Sequence, residues 1–288
     1  MVSRTVLRVG LIGCGEAAQS KIAGDMVSIT TEPQTLCASP DVDVVFVINS
    51  DEYHVDHAIL ALENNKFVFV EKPLALNVRD IKRIKSAERN SNCKVSFVPT
   101  IERRIDIQTD RSQDIIGPNS AFVSQSGTFP KRFTDISPED IEDKTTRATE
   151  FVRQALESEC GVPITKSSTT MWRILGGLGS HDLSAMREAL GMPNKVLGAN
   201  LGQNKSVRVQ YDTPYVKGLQ TTLHICEKDG DGYRETIIRR TYEDPYTLQL
   251  KELYDWVVHG TPVKTTAEDA ELDSHIFQMI MKAGGYNA

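Results

Sequence analysis

Apolar residues in the first hundred positions form short continuous runs that are separated by amphipathic stretches. Val6–Ile12 is a short β-rich run, and Phe67–Val70 is an apolar run. Val44–Ile48 is continuously apolar, which is typical of a strand that is buried on both faces. Between and after the runs, apolar residues recur at helical spacing over residues 55–62 and 78–84. Strands that alternate with helices in this way predict an α/β fold with a parallel sheet.

The later part of the chain shows a different pattern. Turn residues separate β-rich pieces at Val207–Tyr211, Thr221–Ile225 and Glu235–Ile238, which predict an open, mostly antiparallel sheet. Helices are expected to begin at Ser137 and near Ser180, and to cover residues 246–259 and 267–283. We therefore expect a parallel-sheet domain over residues 1–115 and an α+β domain over residues 116–288.

Composition and charge restrict the possible partners. The net charge is -6 and no long basic tract is present, so a direct nucleic-acid partner is not expected. No apolar run approaches the ~20 residues of a membrane span. The N-terminus enters the first strand almost at once, without the apolar core of a secretion signal. We therefore expect a cytoplasmic protein without a membrane partner.

Five cysteines are scattered along the chain without a Cys-x-x-Cys pair. An odd, scattered set argues against a disulfide framework and against a zinc site. Reduced and mostly buried thiols are expected, and no metal centre.

A glycine turn directly after the first apolar run is the first candidate site. Gly13-Cys-Gly15-Glu-Ala-Ala18 has the order of glycines and small residues that opens a mononucleotide-binding unit. The glycines allow the backbone to turn tightly and to approach a pyrophosphate, whose charge a helix N-terminus favours. The candidate dinucleotide-binding residues are Gly13, Gly15, Glu16, Ala17 and Ala18.

Glu71-Lys72-Pro73 is the second candidate site. It places a carboxylate and an ammonium at the C-terminal tip of a predicted parallel strand, where open α/β sheets bind their ligands. Pro73 disfavours a helical backbone at Lys72, so the ammonium is expected to stay at the sheet edge. Lys72 is therefore the first candidate for a catalytic residue.

Several segments carry further motifs: Gly13–Ala18, Pro40–Val45, Ile48–Ser50 with His54, Glu71–Leu76, Gly179–Asp182, and Glu252–Trp256 followed by Thr266–Asp269. In this order they resemble the glucose-fructose oxidoreductase, inositol 2-dehydrogenase and rhizopine-catabolism family of NAD(P)-dependent oxidoreductases, in an abbreviated form. The resemblance implies an N-terminal Rossmann domain, NAD or NADP as cofactor, and a C-terminal substrate domain. It also implies hydride transfer to or from a secondary alcohol of a sugar-like or polyol substrate, and a homodimer or higher homo-oligomer formed through the C-terminal sheet.

The resemblance also implies roles for individual residues. Lys72 would polarise the reacting oxygen, and His181 would be the general base or acid. Additional cofactor contacts would come from Asn49, Ser50, His54 and Glu71. His181 has independent support, because the positive end of a predicted helix favours a neutral imidazole. A purely structural capping role for His181 stays open.

His54 and His57 stand three positions apart on a predicted helix, a spacing at which two imidazoles can share a metal. No third ligand accompanies them in the sequence. A histidine beside the cofactor cleft and a second one on the surface are therefore the preferred interpretation.

The chain departs from the family in two places. Gly177 stands four residues before His181, where the family commonly has an aspartate. Between Gly15 and Asp41 there are too few residues for the usual helix, strand and helix, so no acidic residue there distinguishes NAD from NADP. A missing second strand would leave an unpaired sheet edge.

These departures leave two alternatives open beside a dehydrogenase. One is a catalytically silent NAD(P)-binding regulator, because the family contains a transcriptional repressor that lost its chemistry. The other is an isomerase or lyase that uses bound nicotinamide transiently, as some relatives do with glycosides.

Overall fold

Four parallel strands form the sheet that the apolar runs predicted. The computed structural model describes residues 6–13, 30–97, 137–180, 183–184, 186–187, 191–196, 223–229, 232–238, 245–263 and 265–284. Strands β1 (Val9–Ile12), β2 (Val44–Val47), β3 (Phe67–Val70) and β4 (Val95–Phe97) pair in the order β1-β2-β3-β4. Ile12 lies beside Val47, and Val47 beside Val70, so the C-terminal ends of three strands meet at one edge.

Three helices connect these strands: α1 (Pro33–Ala38), α2 (His54–Glu63) and α3 (Val78–Arg89). The sequence predicted α2 and α3, and the Asn77 side chain caps α3 by accepting a hydrogen bond from the Asp80 amide. The short helix α1 was not predicted. Among the described strands β1 pairs with β2 alone, and residues 14–29, which separate β1 from α1, lie outside the described part.

Both faces of the sheet are buried, as the continuous apolar run Val44–Ile48 predicted for β2. Val45, Val47, Val68 and Val70 point to one face and pack in a core with α2 and α3. On the opposite face, Val44 and Phe69 pack against Leu253 and Trp256 of helix α6 (Pro245–His259). The polar ends of the strands are therefore the part of the sheet that is left for ligands.

Two helices that each widen into a π-helical turn begin the described later part of the chain. Helix α4 (Pro138–Arg153) starts at the Ser137 cap, as predicted, and continues into Gln154–Cys160. Helix α5 (Lys166–Ile174), which was not predicted, continues into the turn Leu175–Gly179. Turns of this kind occur often at functional sites.

The predicted antiparallel region is described only in part. Strands β5 (Leu223–Asp229) and β6 (Gly232–Ile238) form an antiparallel hairpin at two of the predicted β-rich pieces. The third piece, Val207–Tyr211, and the proposed boundary at residues 115–116 lie outside the described residues. An open sheet and the division into two domains therefore stay predictions.

The last helix joins two hydrophobic cores. Helix α7 (Ala267–Ala283) begins with the predicted cap at Thr266, whose side chain accepts from the Asp269 amide. Its first turns place Ala267 and Ala270 in the core of the parallel sheet. Its last turns contribute to a second core with Leu156 and Trp172, through Ile276, Phe277 and Met281. Among the helices of the described part, none is both long enough and apolar enough to cross a membrane.

The cysteines with described side chains, Cys37, Cys93 and Cys160, are buried and free, as expected. Burial raises the pKa of Cys37 to about 11 and that of Cys160 to about 12. These two thiols therefore stay protonated near neutral pH and are poor nucleophiles.

A buried ion pair on α7 predicts a specific pH dependence of stability. Burial raises the pKa of Asp273 to about 6, although Arg187 binds this carboxylate at 3.0 Å. Between about pH 4 and pH 6 the folded carboxyl keeps a proton that the unfolded chain has lost, so the free energy of unfolding falls as pH rises through this window. We expect this decrease in the free energy of unfolding to be about 1–3 kcal/mol smaller in Asp273→Asn than in the wild-type protein.

Urea unfolding at several pH values between 4 and 7 measures this effect. Asp255→Asn, which changes a half-exposed carboxylate on α6, is the control and should keep the wild-type slope. An unchanged slope in Asp273→Asn would contradict the expectation.

Candidate active site

The candidate site begins where the backbone of Gly13 approaches the end of β2. Gly13 has a φ of 111°, a conformation that favours glycine. A Cβ atom at this position would lie 2.6 Å from the Asn49 backbone nitrogen and 2.8 Å from its Cα. The glycine thus lets the chain leave β1 directly over the end of β2, as the sequence motif predicted.

Asn49 and Ser50 follow β2 at this edge. The Asn49 amide nitrogen lies 2.8 Å from Nδ1 of His57, whereas the amide oxygen is buried and has no hydrogen-bond donor among the described residues. The Ser50 hydroxyl donates to the Glu52 carboxylate at 2.7 Å. Asn49 therefore supplies an unpaired acceptor at the edge where a ligand is expected.

The His54 side chain lies between two backbone carbonyl oxygens. Its ring is fully buried, with Nδ1 at 2.8 Å from the Pro73 carbonyl oxygen and Nε2 at 3.1 Å from the Asn49 carbonyl oxygen. The ring therefore bridges the segments that follow β2 and β3, and a contact of His54 with the cofactor stays a prediction. Neither ring nitrogen is left for a metal shared with His57.

Lys72 extends from the end of β3 to the later part of the chain. Its Nζ donates to the Gly177 carbonyl oxygen at 2.6 Å, and its peptide bond to Pro73 is cis. The Glu71 carboxylate does not hold this ammonium; it accepts a hydrogen bond from the Lys72 backbone amide at 3.2 Å. The two charged side chains of the motif thus have separate partners.

The turn that receives Lys72 is the π-helical turn Leu175–Gly179. A Cβ atom at Gly177 would meet no atom of the described residues outside its own turn within 4 Å, so the described part leaves room for a side chain. The Ser180 hydroxyl, just beyond the turn, is buried and has no hydrogen-bond partner among the described residues. Two buried polar atoms thus have no hydrogen-bond partner among the described residues. They are the Asn49 amide oxygen, which precedes Lys72 in the chain, and the Ser180 hydroxyl oxygen, which follows it.

Two long-range contacts hold this turn and the Lys72 segment together. The Trp172 indole donates to the Leu76 carbonyl oxygen at 3.0 Å. The Glu159 carboxylate accepts from the backbone amides of Val78 and Arg79, each at 2.9 Å, and so caps the positive end of α3. The hydrogen bond of Lys72 attaches the later part of the chain to the start of the loop that follows Lys72, and these contacts attach it to the end of that loop.

Asp51 is a carboxyl group at this edge that the sequence did not single out. Burial raises its pKa and Glu52 adds to the rise, whereas the positive charges of His54, Lys72 and Lys144 oppose it. A carboxyl group beside an ammonium at a ligand-binding edge can take part in proton transfer. Its position directly after Asn49-Ser50 was the available sequence signal.

The structure thus brings Gly13, Asn49, Ser50, Glu71 and Lys72 to one edge of the sheet, as predicted. The other predicted site residues, Gly15, Glu16, Ala17, Ala18 and His181, lie outside the described residues. His57, which holds the Asn49 amide, was interpreted from the sequence as a surface residue and is instead half-buried.

The described residues fit a dinucleotide. A glycine that allows close backbone approach, three strand ends at one edge and an unpaired amide oxygen are what a bound pyrophosphate and nicotinamide require. The fold and this edge define the class of protein: an α/β protein of the Rossmann type, with a candidate dinucleotide site at the carboxyl ends of its parallel strands.

Comparison with known proteins makes this class more specific. Residues 9–98 match the model of the oxidoreductase family with an NAD-binding Rossmann fold, known as Gfo/Idh/MocA. This match confirms the resemblance carried by the motifs, and with it NAD or NADP as the cofactor.

Curated relatives of the chain are dehydrogenases. Myo-inositol 2-dehydrogenase of Thermotoga maritima is 24% identical over 268 residues, which cover 84% of this chain and 77% of that enzyme. Inositol 2-dehydrogenase of Salmonella typhimurium is 47% identical over 63 residues, 22% of this chain and 19% of the enzyme. Trans-1,2-dihydrobenzene-1,2-diol dehydrogenase of Xenopus laevis is 32% identical over 101 residues, 33% of this chain and 30% of the enzyme.

Solved structures share the fold over nearly the whole chain. An oxidoreductase from Bacillus cereus superimposes with a TM-score of 0.54 at 14% identity, covering 96% of this chain and 90% of that one. A levoglucosan dehydrogenase in complex with NADH and levoglucosan gives a TM-score of 0.50 at 14% identity, covering 90% of this chain and 82% of that one. At 14% identity, these similarities show a common fold alone.

Proposed function

We propose that this chain binds NAD or NADP at the shared edge of β1, β2 and β3 and interconverts a secondary alcohol and a ketone. The observation that carries this proposal is the 2.6 Å hydrogen bond from Lys72 to Gly177. It brings the ammonium at the sheet edge against the turn that precedes His181 by four residues in the sequence. We therefore propose that Lys72 and the candidate base His181, from two distant parts of the chain, act together on one substrate.

In this proposal Lys72 and His181 have separate roles in the reaction. The bound nicotinamide supplies the acceptor or donor of hydride. In the oxidation direction, Lys72 donates a hydrogen bond to the substrate oxygen and stabilises the negative charge that develops on it. His181 takes the hydroxyl proton while hydride leaves the carbon that bears this oxygen for the nicotinamide, so the alcohol loses one proton and one hydride, which together are two protons and two electrons.

The substrate class follows from the relatives. Inositol dehydrogenases and a dihydrodiol dehydrogenase are named for cyclic compounds with neighbouring hydroxyl groups. We therefore propose a sugar-like or polyol substrate with a secondary alcohol for this chain. The described edge carries both charge signs close together, at Asp51, Glu71 and Lys72, which suits a neutral substrate that forms many hydrogen bonds.

Two measurements test the proposal. The first is the mass of any dinucleotide released when purified protein is denatured, together with calorimetric titration with NAD⁺ and NADP⁺. The second is the absorbance of reduced nicotinamide across a panel of inositols, sugars and sugar alcohols. If neither dinucleotide binds, the proposal fails; if one binds and no panel member reacts, the substrate class fails.

A catalytically silent NAD(P)-binding regulator is the second candidate function. The observation that favours it is Gly177 itself, whose carbonyl oxygen accepts the Lys72 hydrogen bond where the family commonly has an aspartate side chain. Dinucleotide binding without turnover of any panel member supports the regulator. A turnover that depends on Lys72 excludes it.

We also propose that the chain forms a homodimer or a higher homo-oligomer through its C-terminal sheet. The hairpin β5–β6 supports this, because a strand edge can pair with a strand of another sheet and, among the described strands, β5 and β6 pair only with each other. Light scattering behind size exclusion measures the mass in solution. A monomer at micromolar concentration would contradict this part.

A further inference from the structure

His57 holds the side chain of Asn49 in one orientation. The Asn49 amide nitrogen lies 2.8 Å from Nδ1 of His57. An amide nitrogen can only donate, so Nδ1 must carry a lone pair, and the ring proton must be on Nε2. The amide oxygen then points away from His57, where it is buried without a donor among the described residues.

Protonation of His57 would make this arrangement impossible. An imidazolium carries protons on both nitrogens, and Nδ1–H can only face an acceptor. The Asn49 amide would then have to turn over, so that its oxygen accepts from Nδ1–H and its nitrogen takes the place of the unpaired oxygen. The group available at the sheet edge would change from an acceptor to a donor.

We propose that His57 is a positioning residue that presents the Asn49 amide oxygen to the dinucleotide as a hydrogen-bond acceptor, and that protonation of His57 withdraws it. This rests on the proposed function, because the donor that the oxygen receives is an N–H or O–H group of the bound cofactor. The unpaired oxygen is the second observation that points to a ligand, since burial without a donor costs about 1–3 kcal/mol.

Groups from three elements surround the His57 ring. The Tyr53 ring, from the turn before α2, lies nearly parallel to it with centroids 6.3 Å apart. Its hydroxyl donates to Asp143 of α4 at 2.7 Å. Arg147 of α4 lies over the Tyr53 ring and binds Asp56, the neighbour of His57 on α2.

These surroundings favour the neutral ring. Burial lowers the pKa of His57 from its ordinary value, and the charges of His54 and Arg147 lower it further, whereas Asp56 raises it. The neutral, acceptor-presenting arrangement is therefore the one present at neutral pH. The Asn49 amide is expected to turn over and present its nitrogen only below about pH 6.5, the ordinary pKa of histidine.

The tautomer of His57 is the first test, and it needs no cofactor. Nitrogen-15 correlation spectra of histidine-labelled protein, assigned with His57→Gln, should show Nδ1 unprotonated and Nε2 protonated at pH 7.5, with titration below pH 6.5. A protonated Nδ1 at pH 7.5 would overturn the proposal, whether or not a dinucleotide binds.

The second test is the affinity for whichever dinucleotide binds, measured by calorimetry from pH 7.5 to pH 5. We expect wild-type affinity to weaken about tenfold towards pH 5. In His57→Gln, whose amide does not titrate, the change should stay within about threefold. The control His275→Gln makes the same change at an exposed histidine and should retain the wild-type profile.

A wild-type affinity that does not vary with pH would overturn the proposal, and so would an equal pH dependence in His57→Gln. Absence of dinucleotide binding at every pH would instead overturn the proposed function, and the tautomer would still be decided by the spectra. A fold defect in His57→Gln would appear in its thermal transition, and His57→Asn then provides a second variant that cannot titrate.

Discussion

Replacing Lys72 by methionine should lower kcat by about 10²–10⁴-fold, the range expected when a positioned proton-transfer or charge-stabilising group is lost. Methionine keeps the length of the side chain and removes the charge that the substrate oxygen requires. Dinucleotide affinity should change by less than about fivefold, because Gly13 and the unpaired Asn49 oxygen, on the cofactor side, follow β1 and β2. Steady-state kinetics and calorimetry measure the two quantities separately.

The control for this variant is Lys82→Met, which removes an exposed ammonium from α3. Its kcat should stay within about twofold of wild type, in the range of ordinary surface substitutions. Lys72→Arg is informative as well, because a planar guanidinium cannot replace a compact ammonium at one fixed acceptor. Unchanged turnover in Lys72→Met would show that this ammonium has no part in the chemistry.

Gly177→Asp should raise kcat by about tenfold or more, because it restores a carboxylate at the family position beside the cleft. The Lys72 ammonium already binds the carbonyl oxygen of this residue, so a carboxylate on the same residue is expected to reach the same cation. The described part of the chain leaves room at this position, since a Cβ atom would meet none of its atoms outside the turn within 4 Å. The measurement is kcat and kcat/KM with the best substrate of the panel.

Two matched variants separate the charge from its position. Gly177→Asn has the same shape as aspartate without its charge and should raise kcat by less than about threefold. Gly176→Asp places the same charge one residue earlier in the turn, where a Cβ atom would lie 4.0 Å from Pro73, and should give no gain. Equal gains in Asp and Asn variants, or no gain in either, would contradict a role for the missing carboxylate.

The parallel sheet could be predicted because its strands are buried on both faces. Burial of Val44–Val47 against two layers of helices requires an unbroken apolar run, and such a run is visible in the sequence. Helix α5 was missed because it begins with polar residues and buries few apolar ones. The Thr165 and Ser168 side chains that form its capping box were the available signal.

The site could be predicted where local chemistry determines position. Pro73 and the end of an apolar run were enough to place Lys72 at the sheet edge. The role of His54 could not be predicted in this way, because its partners are backbone carbonyl oxygens that every residue carries. The link between Asn49 and His57 depends on how α2 leaves the sheet, and from the sequence His57 was interpreted as a surface residue.

Helix α7 has a consequence for how the chain unfolds. One end of this helix belongs to the core of the parallel sheet and the other end to the core around Trp172. Loss of either core removes the packing of half a helix, and a partly unpacked helix of this length is marginal in water. We therefore expect the two cores to unfold together, because opening the weaker core would also unpack the helix that the stronger core holds. The protein gains a single folding unit from two separate hydrophobic clusters.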